Sequence, residues 1–254
     1  MLPRGWVEAS WTARRGRLGG LYTPLGTVVD APADMVQWVH QLELRAGILP
    51  SVEVFGRVPA WTRRIDERDG GLGDTGVGVR LSLLDQEPPR RSVMVEVGVM
   101  GGSASKALLN DTAWRAVAWQ TGTPRLDMVL KAKQSAGPCS VTGSAGRRAW
   151  LSQQTIAGLV EPASQLDMGL WVSVQGGPLL VKAGPEQHWT TRSGAVTGSL
   201  TQVRARLGVH ASRGLELESG WDWSVLGRSE DRANGSPWVL QKMHRWVLRL
   251  TVRG

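Results

Sequence analysis

DGGLGDTGVGVRLSLLDQ (residues 69–86) carries the spacing G-x-G-x-x-G at Gly71, Gly73 and Gly76. That spacing marks a dinucleotide site only where a buried strand precedes it and a helix follows, because the helix N-terminus must face the pyrophosphate. Here Arg63, Arg64, Ile65, Asp66, Glu67, Arg68 and Asp69 read as a charged loop, and Val77, Val79, Leu81 and Leu83 then alternate with Gly78, Arg80 and Ser82. The glycines therefore open a strand with one apolar and one polar face. No nucleotide is expected.

The same period recurs along the 254 residues. Val36, Trp38, Leu42, Leu44 and Ala46 oppose Gln37, Gln41, Glu43 and Arg45, and residues 52–60, 93–99, 126–131, 203–209, 215–223 and 246–252 repeat the pattern. Residues 4–14, 112–121 and 149–160 read as strands of lower contrast. Residues 165–183 read as one long bulged strand, with Gly176, Gly177 and Pro178 at the bulge. Short turns fall near 46–51, 85–91, 121–125, 161–165 and 212–214. Longer polar connections fall near 61–74, 100–111, 134–148, 184–200 and 226–237. Tight turns on one rim and long loops on the other are the mark of antiparallel up-and-down strands closed into an outer-membrane barrel. The expected fold is all-β: a transmembrane β-barrel of about twelve strands, forming one domain over residues 1–254. A soluble carbohydrate-binding β-sandwich is the competing reading, since its strands alternate too. Charge on nearly every polar face, and its near absence from the Val, Leu and Trp faces, favours a wet lumen inside a lipid-facing wall.

Composition narrows the function classes. The chain has 13 Trp but one Tyr, Tyr22, and one Phe, Phe55. Trp is favoured where an apolar body meets a wet edge, at a membrane surface or a ligand platform. The net charge is +8, with lysine only at positions 106, 131, 133, 182 and 242 and arginine supplying the rest. Its scatter along the chain, rather than on one helix or arm, argues against nucleic acid. MLPRGWVEASWTARRGR contains no apolar run of signal-peptide length, and no run anywhere is long enough for a spanning helix. Cys139, in a Gly/Ser/Pro-rich stretch, is the single cysteine and allows no intrachain disulfide. His40, His188, His210 and His244 show no metal-ligand spacing, so neither metal nor cofactor is expected.

Candidate functional residues follow from strand parity. Glu43, Arg45, Glu53, Arg57, Arg80, Glu96, Arg204, Arg206, Glu216 and Glu218 fall on polar faces and are expected to line the lumen, where rings of mixed charge select solutes. Trp38, Trp221, Trp223 and Trp246 fall on apolar faces and are expected in an interfacial belt. Glu216, Glu218 and Asp222 are spaced by about 7 Å per step, near a glycosidase carboxylate pair. One strand cannot flank a glycosidic bond from both sides, so catalysis is not expected.

GGLYTPLGTVV (19–29), LELRAGILPSVEVFGRV (42–58), GLGDTGVGVRLSLLDQ (71–86) and its partner SVMVEVGV (92–99) together resemble the YjbH-like outer-membrane β-barrel proteins of exopolysaccharide and capsule export. The resemblance covers roughly the first 110 residues. The GLGD entry into an alternating strand is also similar to other porin-like families, including proteins associated with uptake of aromatic compounds. The resemblance implies a monomeric barrel in the bacterial outer membrane, with lipid, a polysaccharide and export-machinery proteins as its partners.

Overall fold

The computed structural model describes residues 1–23, 25–29, 36–64, 68–86, 90–101, 124–150, 153–155, 158–160, 163–192, 195–212, 214–229 and 241–254. Its strands are β1 (Val7–Tyr22), β2 (Val28–Val29), β3 (Val36–Leu49), β4 (Val52–Arg64), β5 (Arg68–Leu72), β6 (Gly76–Gln86), β7 (Arg91–Met100) and β8 (Arg125–Ala136). They continue as β9 (Cys139–Trp150), β10 (Gln153–Thr155), β11 (Gly158–Val160), β12 (Ala163–Gly176), β13 (Leu179–Arg192), β14 (Ala195–Ser212), β15 (Leu215–Ser229) and β16 (Gln241–Arg253). Twelve of these pair antiparallel in the order β16-β15-β14-β13-β12-β9-β8-β7-β6-β4-β3-β1, and β1 pairs back onto β16. The sheet is closed. β2 and β5 extend the rim ends of β1 and β4, while β10 and β11 form a separate hairpin in the β9–β12 connection.

Closure decides between the two folds expected from the sequence, because a sandwich needs two sheets and here one sheet has no free edge. The faces are inverted relative to a soluble protein. Leu42, Leu44, Val77, Leu81, Leu170, Val172, Leu217 and Leu250 are exposed on the outside, while Glu8, Glu53, Arg80, Glu96, Gln202 and Asp222 are buried within. An apolar outer band around a charged interior is what a bilayer-spanning strand cylinder requires.

Five segments of the sequence reading are corrected by the pairing. Residues 165–183 are two strands, β12 and β13, joined by a tight turn at Gly177 and Pro178. Gly177 has φ +57°, a left-handed conformation that side chains resist. Residues 134–148 and 184–200, expected as polar loops, mostly belong to the β8–β9 and β13–β14 hairpins. In β9 both faces are built from small residues, Ser140, Thr142 and Ser144 against Val141, Gly143 and Ala145, so period-2 contrast is faint. In β13 the β12–β13 register omits positions 170–171 and 184–185, which is where Pro185, without an N–H, is tolerated. Residues 61–74 are likewise largely strand, since β4 runs to Arg64 and pairs with β5. Residues 149–160 are not one barrel strand but the end of β9 followed by the β10–β11 hairpin. The segment 112–121 lies outside the described residues.

The tight connections at 50–51, 137–138, 177–178 and Gly214 share one rim, with Val7 and Arg253 beside them. Changing a lipid-facing side chain separates this fold from any soluble one. Leu81→Arg, on the outer face of β6, is expected to lower folding stability in lipid vesicles by about 2–4 kcal/mol. Ser173→Glu, which puts a charge on the inner face of β12 opposite Lys182, is expected to be nearly neutral. Equal losses in a denaturant titration would contradict the face assignment.

Candidate functional site

The strand that opens at Gly76 helps to build the densest part of the interior. Strand β4 places Phe55 opposite Gly78 of β6, and Gly78 opposite Gly98 of β7. A Cβ on Gly78 would stand 2.4 Å from Phe55 Cζ and 2.4 Å from the Val97 carbonyl oxygen. The two glycines thus clear a row of the wall on which the only phenylalanine lies, 4% exposed. Gly78, two positions past the G-x-G-x-x-G spacing, makes room for a ring.

Two arginines cover that ring. The Arg57 guanidinium lies 4.3 Å and the Arg80 guanidinium 4.9 Å from its centroid, close enough for cation–π attraction. Each also bridges the same two carboxylates. Arg57 Nε donates to Glu43 Oε2 and Nη2 to Glu96 Oε1, both at 2.6 Å; Arg80 Nε donates to Glu96 Oε2 at 2.6 Å and Nη2 to Glu43 Oε1 at 3.0 Å. The result is a closed ring of alternating charge spanning β3, β4, β6 and β7. Arg45 extends it, 3.4 Å from Glu43 and 3.6 Å from Glu53, and also pairs with Glu8. Such pairs offset the cost of removing charge from water only when every partner is present.

Ion pairs continue along the wall. Arg253 lies 2.5 Å from Glu8 and 3.2 Å from Glu216; Lys182 pairs with Glu218; Arg206 pairs with Asp222 and Arg204 with Glu186. His188 Nδ1 sits 2.5 Å from Asp167 Oδ1, and Arg148 Nε 3.3 Å from Asp167 Oδ2. All ten charged residues expected in the lumen project inward. Glu43, Glu53, Arg57, Arg80 and Glu96 are packed into the wall network, and Arg204, Arg206 and Glu218 pair farther along β14 and β15. Arg45 and Glu216, besides their ion pairs, also border open space.

That space is a chamber of about 610 Å³ at the tight-turn end, lined by Arg45, Lys133, Lys182, His210, Arg249 and Arg253, with Glu216 as its one carboxylate among the described residues. Ser140 and Ser173, whose hydroxyls are 2.6 Å apart, add neutral donors. Lys182 was hidden from sequence reasoning for a definite reason. Residues 165–183 read as one bulged strand, which gives Lys182 no partner, whereas the turn at Gly177 and Pro178 makes a hairpin that sets Lys182 inward opposite Ser173. The Gly176-Gly177-Pro178 run was the available signal.

The four tryptophans expected at the interface lie on the outer face. Trp221 and Trp223 of β15 stack at 6.4 Å, Trp246 of β16 is the cross-strand partner of Trp221, and Trp38 of β3 stacks on His40 at 6.2 Å.

A closed cylinder of twelve antiparallel strands, apolar outside and charged inside, has close structural counterparts. The chain superposes on the COG4313 outer membrane channel from Pseudomonas putida F1 with a TM-score of 0.77, over 100% of this chain and 97% of the other, at 10% identity. The fold is that of an outer-membrane β-barrel. The NanC porin is similar at TM-score 0.56, covering 95% of this chain and 98% of that one at 9% identity. The translocator domain of the autotransporter NalP from Neisseria meningitidis is similar at 0.53, covering 100% and 90% at 12% identity. No protein-family model matches the chain, and no curated protein matches it in sequence.

The wall network gives a sharp stability test. Glu96→Gln removes a carboxylate that serves both Arg57 and Arg80 and leaves two guanidinium groups short of a partner. It is expected to cost about 3–5 kcal/mol in a vesicle-based unfolding titration. Asp85→Asn, which breaks the exposed Arg90–Asp85 contact at 3.9 Å, is expected to cost less than about 1 kcal/mol. Comparable losses would show that the ring is not a cooperative unit.

Proposed function

We propose that the protein is a porin-like channel of a bacterial outer membrane that passes small anionic solutes. The observation that carries this reading is the cation-lined chamber. A charged pocket walled by low-dielectric material focuses its field on the solution inside and raises the local concentration of oppositely charged solute. About 610 Å³ falls within the size range that encloses a drug-sized molecule. The inverted faces support the membrane location, as does likeness in fold to barrels described as a channel and a porin.

Position supports a narrower reading. Tight turns mark the periplasmic rim in barrels of this kind, so the chamber would open toward the periplasm. A solute leaving the cell would meet its cations first. An acidic glycan in export, as the resemblance to YjbH-like proteins implies, belongs to the same class of occupant.

Planar-bilayer recording tests the proposal. The folded barrel is expected to prefer anions. Replacing Lys133, Lys182 and Arg249 together with Gln is expected to move the reversal potential toward cation preference. That shift should shrink as salt rises from 0.1 M to 1 M, where the screening length falls from about 10 Å to about 3 Å. Block by an acidic oligosaccharide, added from the tight-turn side only, would support the export reading. Unchanged selectivity in the triple variant would defeat the proposal.

A further inference from the structure

The outer face is not uniform around the barrel. On β6 and β12 it is aliphatic, with Val77, Val79 and Leu81 on one and Leu166, Met168, Leu170, Val172 and Val174 on the other. On the four consecutive strands β3, β1, β16 and β15 it carries Trp38, Trp11, Trp246, Trp221 and Trp223, with Arg15 and Arg17 of β1 among them. Arg15 and Arg17 of β1 share the outward face of Trp11 and are exposed. Their cross-strand neighbours are Trp38 and Val36 on one side and Trp246 and His244 on the other.

These side chains form an ordered stack. The Arg15 guanidinium lies 5.7 Å from the Trp38 ring, Trp38 stacks on His40 at 6.2 Å and 2°, and His40 stacks on Trp11 at 5.7 Å and 17°. Below the stack the surface returns to Leu42, Leu44 and Leu250, all exposed. Height along the barrel fixes where the cations sit. From Val7 at the tight-turn rim to Arg17 is ten residues, which at about 3.4 Å each and a tilt of about 40° climbs about 26 Å, the height of the apolar band. Arginine on a lipid-facing strand is costly at the bilayer centre and nearly free at this level.

We infer that Arg15 and Arg17, above the Trp38–His40–Trp11 stack, bind a phosphate-bearing lipid headgroup of the leaflet at the long-loop rim, with its acyl chains against Leu42, Leu44 and Leu250. Charge selects the occupant. Two guanidinium groups in the headgroup zone match a phosphate, the planar fork of arginine suits its oxygens, and the aliphatic surface beneath suits hydrocarbon. The inference needs only the barrel and is independent of what the lumen conducts.

The test uses the full chain folded in zwitterionic detergent, titrated with diphosphorylated lipid A, phosphatidylcholine or inorganic phosphate, with bound species counted by native mass spectrometry. Diphosphorylated lipid A is expected to bind saturably and more tightly than phosphatidylcholine. The double variant Arg15→Gln, Arg17→Gln is expected to weaken lipid A binding about 30-fold, from the usual contribution of a basic residue near a charged headgroup. Arg147→Gln, on the outward face of β9, is expected to leave it unchanged. Heat-modifiable migration on a gel confirms that each variant is still a barrel. Four results would overturn the inference: undiminished binding by the double variant, an equal loss in Arg147→Gln, competition by inorganic phosphate at the same concentration as lipid A, or capture of a second copy of the chain in place of lipid.

Discussion

A peptide group in hydrocarbon has no water to turn to, so every N–H and C=O that crosses the bilayer must be paired within the protein. For strands, that requirement is met only by a sheet without edges. The β1–β16 ladder, running from Glu8 opposite Arg253 to Leu21 opposite Gln241, meets it here, and the rest of the molecule follows from it. Closure fixes an inside and an outside for each strand. It also forces the apolar half of each alternating pattern outward, where lipid rather than a neighbouring sheet covers it.

What remains inside is mostly polar, and its composition makes the wall and the chamber differ in kind. Around Phe55, arginine and glutamate occur in matched numbers and close on one another, so that side of the lumen is filled by charge that cancels. Around Lys133, Lys182 and Arg249 the balance fails in favour of cations. A barrel interior thus need not be one environment. One arc can be spent on rigidity while the opposite arc stays open to a solute.

Much of this was legible in the chain, and the exceptions share a cause. Val77, Val79, Leu81 and Leu83 alternate so plainly with polar neighbours that the strand and its lipid face could be read directly. Strand β9 could not, because Ser, Thr, Gly and Ala on both faces erase the contrast on which period-2 reading relies. The chamber is missed because residues 165–183 read as one strand, so Lys182 is never set against Ser173. The inward direction of Arg57, Arg80 and Glu96 was accessible from parity alone. That they would meet in one ring was not, because alternation gives direction while partnership depends on register across four strands. The same holds for Phe55 with Gly78 and Gly98. Twelve strands were expected and twelve are present, although two of them, β9 and β13, replace segments read as strands elsewhere.

Glu8 occupies the inner face of the closing seam, and its carboxylate reaches Arg45 on one neighbouring strand and Arg253 on the other. The two residues joined across the seam are 245 positions apart, whereas the other barrel strands pair with strands that adjoin them in sequence order. Parity forbids a slip of one residue there, since it would set inward side chains beside outward ones. A slip of two respects parity and would go unopposed by apolar contacts, because Trp11, Leu248 and Leu250 would still face lipid. It would, however, carry Arg253 about 7 Å along the strand, beyond the reach of Glu8. Since stagger at closure sets the girth and tilt of a strand cylinder, the diameter of this one is held by an electrostatic gauge at its base.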